Sequence, residues 1–330
     1  MEKPLLDIQD LYVNYKIYEG TLKVLNGINL KIEKSEKVGL IGETGCGKTT
    51  TMKSILRILP QPPAIIPRGK IFFEGENIFE MDSKRLNRLR RLGISMIFQD
   101  PTASLNPVFK VGEQLGDIIK YGALESGESL SKEEIKKRSL NILKEVALPD
   151  PERLLDNYPI QLSGGMRQRI CIAMALISAN RLLIADEPST NLDVTIGDQV
   201  LRLIGNIVKE KGTSVILISH ALGAVKGLVD RVIVMYAGNI IEDAKKDDLF
   251  SNPLHPYTSG LINSVPKLTG GGIPTGINGR LPNYIDPPTG CRFSPRCIHA
   301  MPLCRERTPP MIDVGEKHKV TCYLFGEGGS

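Results

Sequence analysis

The stretch Gly42-Glu43-Thr44-Gly45-Cys46-Gly47-Lys48-Thr49 follows a short apolar run at 38–41 and precedes a predicted helix over 48–59, which ends at Pro60. Strand, glycine-rich loop and helix form the context in which this spacing of Gly and Lys binds phosphate. The glycines let successive N–H groups curl around a phosphate, and the helix start adds its positive dipole end. The stretch therefore predicts an α/β fold with a phosphate site.

Two side chains of this loop have specific predicted tasks. Lys48 supplies positive charge to the outer phosphates of a nucleotide, and the Thr49 hydroxyl is placed to ligate Mg²⁺. We interpret Cys46 as a small loop residue rather than a reactive thiol. The residues of this region predicted to bind nucleotide are Gly42, Glu43, Thr44, Gly45, Cys46, Gly47, Lys48, Thr49 and Thr50.

A pair of carboxylates follows the apolar run 182–185 farther along the chain. Asp186, at the carboxyl end of a buried parallel strand, is suited to orient Mg²⁺, and Glu187 is suited to polarise an attacking water. The alternative is that Asp186 and Glu187 are only surface residues of the turn before Pro188. The acids follow the stretch Leu162-Ser163-Gly164-Gly165 closely, and a surface turn does not explain that order.

The charge of the chain gives little support to nucleic-acid binding. The 42 basic and 37 acidic residues leave a formal net charge of +5 and are mixed along the chain. The densest basic run, 84–91, alternates Arg with Leu, which favours a solvated helix face with a leucine stripe over a phosphate-backbone patch.

No apolar run approaches the roughly 18 residues that span a bilayer, and the first residues lack a signal-peptide pattern. We therefore expect a soluble, cytoplasmic chain. Short apolar strands at 38–41, 94–98, 182–185 and 215–218 alternate with helices, which predicts a doubly wound α/β core.

Composition predicts the domain boundaries. The core is expected at 1–99 and 171–250, and a helical subdomain is expected at 100–170. After residue 250 the chain becomes rich in Pro, Gly and Cys, which predicts an irregular extension over 251–330.

These motifs, in this order, resemble the ATP-binding subunits of ABC transporters, and the resemblance covers almost the whole chain. It implies a P-loop ATPase core with an antiparallel β subdomain, in which Gln99 joins the Mg²⁺ site to the helical insertion and His220 contacts the γ-phosphate. Asn191-Leu192-Asp193 is similar to the D-loop. Tyr15 resembles the aromatic residue that stacks on adenine, although Tyr12 and Tyr18 are near in sequence.

The family mechanism implies that two subunits enclose two nucleotides. Ser163, Gly164 and Gly165 of one subunit then contact the γ-phosphate bound by the other, since a serine hydroxyl and backbone N–H groups donate to phosphate without blocking it. The chain departs from the family after His220, where Ala221 replaces a common acid and removes a favourable helix cap. We expect the loop that carries His220 to be held less firmly.

Three further stretches resemble the dipeptide and oligopeptide importer ATPases, a group that includes nickel-complex importers. They are Met96-Ile97-Phe98-Gln99-Asp100-Pro101, Asn252-Pro253-Leu254-His255-Pro256-Tyr257-Thr258 and the cysteine-rich tail. Met166-Arg167-Gln168-Arg169 is similar to one of two paralogous ATPases of these importers. The resemblance implies a heterodimer of ATPase subunits, with a homodimer possible in isolation. It also implies that the pair binds two transmembrane permease subunits and depends indirectly on an extracellular peptide-binding protein. The chain is then expected at the cytoplasmic face of the membrane, as a peripheral subunit.

The tail holds Cys291, Cys297, Cys304 and Cys322. In a reducing compartment thiolates indicate a metal rather than disulfides, and paired Cys-x-x-Cys knuckles typical of zinc are absent. Similarity to the family tail implies a [4Fe-4S] cluster, with zinc or unligated thiols as alternatives. His299 and His318 are possible additional ligands, and a structural role for the cluster is favoured over a redox one.

The sequence thus predicts an ATP-hydrolysing subunit that powers peptide import. A nickel-complex importer is the alternative within the same branch. A soluble ABC ATPase that acts on DNA or ribosomes is a further alternative, but such proteins often have tandem ATPase halves or long coiled-coil inserts, and this chain has a single P-loop. A binding module without ATPase activity is the third.

Overall fold

A computed structural model describes residues 3–178, 181–190, 192–264 and 276–326. The strands are β1 (Leu6–Ile17), β2 (Gly20–Ile32), β3 (Lys37–Ile41), β4 (Ala64–Phe73), β5 (Glu76–Asn77), β6 (Ile94–Ile97), β7 (Leu182–Asp186), β8 (Ser214–Ile218), β9 (Arg231–Tyr236), β10 (Asn239–Lys245), β11 (Ile312–Asp313) and β12 (Lys319–Val320).

Helices occur along the whole described chain, and several of them lie in the predicted insertion over 100–170. They are α1 (Lys48–Ile55), α2 (Ser83–Leu92), α3 (Pro101–Ser104), α4 (Val111–Glu125), α5 (Lys132–Glu145), α6 (Pro151–Leu155), α7 (Gly164–Ser178), α8 (Val194–Lys211), α9 (Leu222–Leu228), α10 (Lys246–Ser251), α11 (Pro256–Asn263) and α12 (Pro302–Glu306). Within the described part of the chain, none of them combines the length and apolar composition that a bilayer crossing requires.

The chain divides into two compact units. The first unit comprises Met1–Glu33, Lys37–Phe79 and Ser219–Ser330, and the second comprises Lys34–Glu36 and Glu80–Ile218. The predicted boundaries, 1–99 with 171–250, then 100–170 and 251–330, stay a prediction.

The first unit contains an antiparallel sheet in the order β2-β1-β4-β5. Alternate residues of β1 are buried, including Leu6, Ile8, Leu11 and Val13, which is the pattern of a strand with one face on a core. In the same unit β3 lies parallel to β9, and β10 continues from β9 in antiparallel pairing. Two short strands of the tail, β12 and β11, extend this pairing.

The second unit is built on β6, β7 and β8, which are parallel and in that order. Every residue of β7 and β8 is buried, as expected for parallel strands covered on both faces. The helical insertion packs through α4, where Val111, Leu115, Ile119 and Ala123 recur at four-residue spacing and are buried. Leu86 is the buried residue of α2, so the basic run lies on a solvated helix face, as predicted.

Several predicted elements are confirmed with shifted ends. The helix after the glycine-rich loop ends at Ile55 instead of Leu59, and the strand predicted at 94–98 ends at Ile97. Helix α5 begins at Lys132 because Ser131 and Glu134 form a capping box: the Ser131 hydroxyl accepts from Glu134 N, and the Glu134 carboxylate accepts from Ser131 N.

Candidate functional site

The glycine-rich loop lies between β3 and α1 in the first unit, and its backbone requires glycine. Gly42 has φ +149°, and a Cβ there would lie 2.1 Å from the carbonyl oxygen of Met235. Gly47 has φ +108°, and its Cβ would lie 2.6 Å from Leu25. Both values are below any distance that a real side chain tolerates, so these glycines keep the loop close to β9 and β2.

Lys48 lies inside this loop and is only 5% exposed. Its Nζ donates to the carbonyl oxygens of Gly42 at 2.7 Å and Glu43 at 3.0 Å, and it lies 3.8 Å from Cys46 Sγ. Burial raises the pKa of the Cys46 thiol despite the nearby ammonium, which agrees with a non-reactive loop residue. The loop therefore surrounds a buried cation, which suits an anionic ligand.

His220 follows β8 in sequence and contacts the glycine-rich loop. Its Nε2 lies 3.4 Å from the Thr44 hydroxyl. The next helix, α9, has Ala221 at its N-cap without a side-chain cap, and the Ala221 amide donates instead to the Ser219 hydroxyl at 3.1 Å. Ser219 is thus a local replacement for part of the missing cap.

Three segments of the C-terminal extension that begins at residue 251, here called the tail, contact the same loop. The sequence analysis did not predict these contacts. The Glu43 amide donates to the Tyr257 hydroxyl at 2.8 Å, and the Tyr284 hydroxyl donates to the Gly45 carbonyl at 2.8 Å. Arg296 forms an ion pair with the Glu43 carboxylate at 3.0 Å. Of these three residues, Tyr257 alone had a signal in the sequence, within the stretch 252–258 that resembles the peptide-importer ATPases.

The acidic residues lie in the second unit. Asp186 ends β7 and is only 3% exposed, and Glu187 follows it with φ +49°. A positive φ is uncommon for a residue with a side chain and is often found at functional sites. The Glu187 amide donates to the Ile218 carbonyl at 2.9 Å, which ties the strained residue to the end of β8.

Two side chains donate to Oε2 of Glu187. The Thr190 hydroxyl lies at 2.8 Å and the Gln99 amide nitrogen at 3.2 Å. The structure therefore brings together Gln99 and Glu187, two residues that were assigned separately from the sequence.

The stretch with Ser163 forms the start of α7. The Ser163 hydroxyl accepts from Met166 N at 3.3 Å, and Gly164 has open space where a Cβ would point. Buried Gln168 on the same helix donates to the Pro188 carbonyl at 2.8 Å, next to Glu187. An exposed helix start with small residues is a suitable site for an anion.

The remaining sequence-predicted positions are less informative. Tyr15 lies half-buried in β1, opposite Leu22 of β2 and Ala64 of β4. In the predicted D-loop, Asn191 lies outside the described residues, whereas the Asp193 carboxylate accepts from Ile196 N at 2.9 Å and caps α8. Their functional roles stay predictions.

Comparison with known proteins decides the family. The ABC transporter family matches residues 25–190, and the oligopeptide/dipeptide transporter C-terminal region matches residues 241–304. The oligopeptide transport ATP-binding protein OppD of Bacillus subtilis is 42% identical over 97% of this chain and 89% of its own length. This chain belongs to the ABC transporter ATPases. The dipeptide transport ATP-binding protein DppD of the same organism is 43% identical, over 98% of this chain and 95% of its own length.

Solved structures agree with this family. The dimeric ATP-binding cassette MJ0796 bound to ADP and Pi has a TM-score of 0.65 and 26% identity, and the match covers 73% of this chain and 98% of that one. The predicted fold class is therefore confirmed, and this ABC transporter ATPase is an ATP hydrolase within an ABC transporter complex.

The residues of this ABC transporter ATPase fit Mg-ATP. In the first unit, the buried Lys48 within a glycine-rich loop is a donor type that phosphates require, and in the second unit the buried Asp186 at a strand end is a ligand type that Mg²⁺ prefers. ATP binding is thus confirmed, with Mg²⁺ as the usual metal of ABC ATPases.

The predicted [4Fe-4S] cluster is wrong. Among the residues that the structure describes, which include all four tail cysteines, no group of three or more His, Cys, Asp or Glu could hold a metal ion. The four cysteines line a cavity of about 20 Å³, little more than one water needs. Burial raises the pKa of Cys291 to about 11 and also raises those of Cys297 and Cys322, because desolvation disfavours the thiolate.

The same finding excludes zinc as the alternative ligand of the four described cysteines, so unligated thiols are the alternative that remains. Of the two histidines considered as additional ligands, His318 is engaged elsewhere, with its Nε2 2.8 Å from the Glu242 carboxylate, whereas His299 lines the same cavity as the cysteines and is exposed. Cys171 is buried in α7, and desolvation raises its pKa to about 12, in agreement with a core residue.

Proposed function

We propose that this ABC transporter ATPase powers the import of peptides. The observation that carries the proposal is the match to relatives named for oligopeptide and dipeptide transport, at 42% and 43% identity over nearly the whole chain, and the match of residues 241–304 to the oligopeptide/dipeptide transporter C-terminal region. The tail region supports peptide transport specifically, because the ATPase region at 25–190 matches ABC transporters in general.

The proposal includes partners and a place of action. The chain pairs with a paralogous ATPase subunit, binds two transmembrane permeases on the cytoplasmic face of the membrane, and depends indirectly on an extracellular peptide-binding protein. Support comes from the family assignment.

In this proposal the glycine-rich loop holds the phosphates. Lys48 neutralises phosphate charge, Thr49, Gln99 and Asp186 hold Mg²⁺, and Tyr15 stacks on adenine. The bond that is broken is the phosphoanhydride bond of the nucleotide, and bound Mg²⁺ would neutralise the negative charge that develops on the phosphate oxygens. Loop residues proposed to contact nucleotide are Gly42, Glu43, Thr44, Gly45, Cys46, Gly47, Lys48, Thr49 and Thr50.

Glu187 orients and polarises the attacking water in this proposal, and His220 contacts the outer phosphate. The Thr190 and Gln99 contacts support the role of Glu187, because two donors on Oε2 fix the direction of its carboxylate. Ser163, Gly164 and Gly165 serve the nucleotide of the paired subunit, which their exposed position at the start of α7 supports.

The experiment uses the transporter complex isolated through a tag on this chain from membranes of its own organism and reconstituted in proteoliposomes. We expect ATP-dependent accumulation of labelled di- and oligopeptides when the extracellular binding protein is present, and none with Glu187→Gln. Accumulation of a nickel complex without any peptide uptake would contradict the proposal and favour the nickel alternative.

A further inference from the structure

The tail of this chain contacts the phosphate-binding loop through three side chains, Tyr257, Tyr284 and Arg296, which we name the tail clamp. We propose that the tail clamp consists of positioning residues for nucleotide binding: it holds the loop 42–49 in the conformation that receives phosphates. The proposal rests on the proposed role of this loop as the phosphate site.

Each member of the tail clamp contacts a different group of the loop. Tyr257 accepts from the Glu43 amide, Tyr284 donates to the Gly45 carbonyl, and Arg296 binds the Glu43 carboxylate. The clamp therefore fixes the direction of the peptide groups at Glu43 and Gly45, and it also fixes the Glu43 side chain.

The loop needs such restraint because of its composition. A glycine-rich segment loses more conformational entropy on ordering than any other, so contacts that order it in advance improve ligand affinity. Gly45 illustrates this: its φ is +84°, and the nearest atom to a Cβ there would be Leu281 Cδ1 of the tail at 3.6 Å. Hydrogen bonds and packing from the tail supply order that the loop cannot supply itself.

The tail clamp is itself firmly anchored. The Arg296 side chain is only 6% exposed, and it donates to the carbonyls of Asn278 at 2.8 Å and Ile277 at 3.1 Å. The backbone carbonyl of Tyr284 accepts from Lys23 N of β2 at 2.8 Å.

Tyr257 is anchored by aromatic packing. It is fully buried, and its ring centroid lies 4.7 Å from that of Tyr236 and 5.5 Å from that of Phe293. A clamp that is fixed on its own side can restrain the loop, whereas a mobile side chain would only follow it.

The test measures dissociation constants of a fluorescent ATP analogue and of ADP, with Mg²⁺, on the full-length chain. We expect Tyr284→Phe and Arg296→Met each to weaken affinity roughly five-fold, the size that corresponds to one lost hydrogen bond or ion pair. Arg296→Lys keeps the positive charge beside Glu43 and should recover part of the loss. In the assembled transporter, Tyr284→Phe should raise KM for ATP with kcat changed less than two-fold.

Tyr323→Phe is the matched control. Its hydroxyl donates to the Thr308 carbonyl at 3.2 Å, within the tail and away from the loop, so its loss should leave affinity unchanged. Equal weakening in Tyr323→Phe, or unchanged or tighter affinity in both Tyr284→Phe and Arg296→Met, would overturn the tail clamp. Lys48→Ala distinguishes the two proposals: if it also retains wild-type affinity, the assigned phosphate site itself is wrong.

Discussion

Glu187 accepts a hydrogen bond from the Thr190 hydroxyl at 2.8 Å, three residues farther along the same turn. Glu187 also has a left-handed backbone, so the turn after β7 is strained and is stabilised by its own side chains. Pro188, between the two, has its carbonyl bound by Gln168 of α7. The carboxylate proposed to activate water is thus oriented by local contacts within the second unit.

Glu187→Gln should abolish turnover without preventing nucleotide binding. The amide keeps the shape of the side chain but lacks the charge that polarises water, so we expect kcat to fall at least about a hundred-fold. Phosphate release by the assembled transporter, with gel filtration of the isolated chain in ATP, would measure this, and an ATP-bound dimer should accumulate. Glu210→Gln, an exposed acid of α8, is the control, and full activity in Glu187→Gln would refute the assignment.

Thr190→Val should lower kcat about five- to ten-fold, because the carboxylate of Glu187 loses one oriented donor worth about 1 kcal/mol or slightly more. Thr190→Ser retains the hydroxyl and should remain near wild type. Steady-state phosphate release compares the two variants, and an equal loss in Thr190→Ser would mean that the methyl group, not the hydrogen bond, matters.

Ala221→Asp should stabilise the first unit. Aspartate at the N-cap of α9 can accept from the backbone amides of the first helical turn, and such a cap typically adds about 1 kcal/mol to the free energy of unfolding. Urea unfolding measures the gain, and Ala221→Leu, which adds no acceptor, should give none. An unchanged or lower free energy of unfolding in Ala221→Asp would contradict this prediction.

His255 should make the folded chain sensitive to acid. Burial lowers its pKa to about 3 from an ordinary value near 6.5, so the unfolded state binds a proton that the folded state excludes. Its stabilising effect is complete above pH 6.5 and is lost as pH falls from 6.5 towards 3, about 2 kcal/mol between pH 7 and pH 5.

His255→Asn tests this pH dependence. Asparagine can still cap α11, where the His255 ring nitrogen accepts from Tyr257 N at 3.0 Å, but it cannot titrate. The free energy of unfolding at pH 7 and pH 5 should therefore differ less in His255→Asn than in wild type. His299→Asn, at an exposed histidine, should leave the pH dependence intact, and identical behaviour of all three proteins would disprove the assignment.

Local chemistry made much of this molecule predictable. The strands β3, β7 and β8 each contain a short apolar run, and α5 begins at a capping box, so these elements could be recognised without tertiary information. The phosphate loop was recognisable because only glycine permits its backbone. Element ends were less predictable, as with α1, which ends at Ile55.

The cysteines of the tail show where sequence reasoning failed. Four cysteines in one segment indicated a metal site, but the sequence could not show that they surround a cavity of about 20 Å³. Cavity size and the pKa of a thiol both depend on packing from distant residues. Similarity in sequence to a family tail was therefore not sufficient to establish a ligand.

By itself, the sequence determined the class of fold, the phosphate loop, the acidic strand end and the family, since each depends on residues close together in the chain. The tertiary structure alone decided that Gln99 donates to Glu187, that His220 contacts Thr44, and that Tyr284 and Arg296 hold the loop. These partners are separated by 88 to 253 residues. Contacts at such separations depend on how the strands and the tail pack, and no local pattern of residue types encodes them.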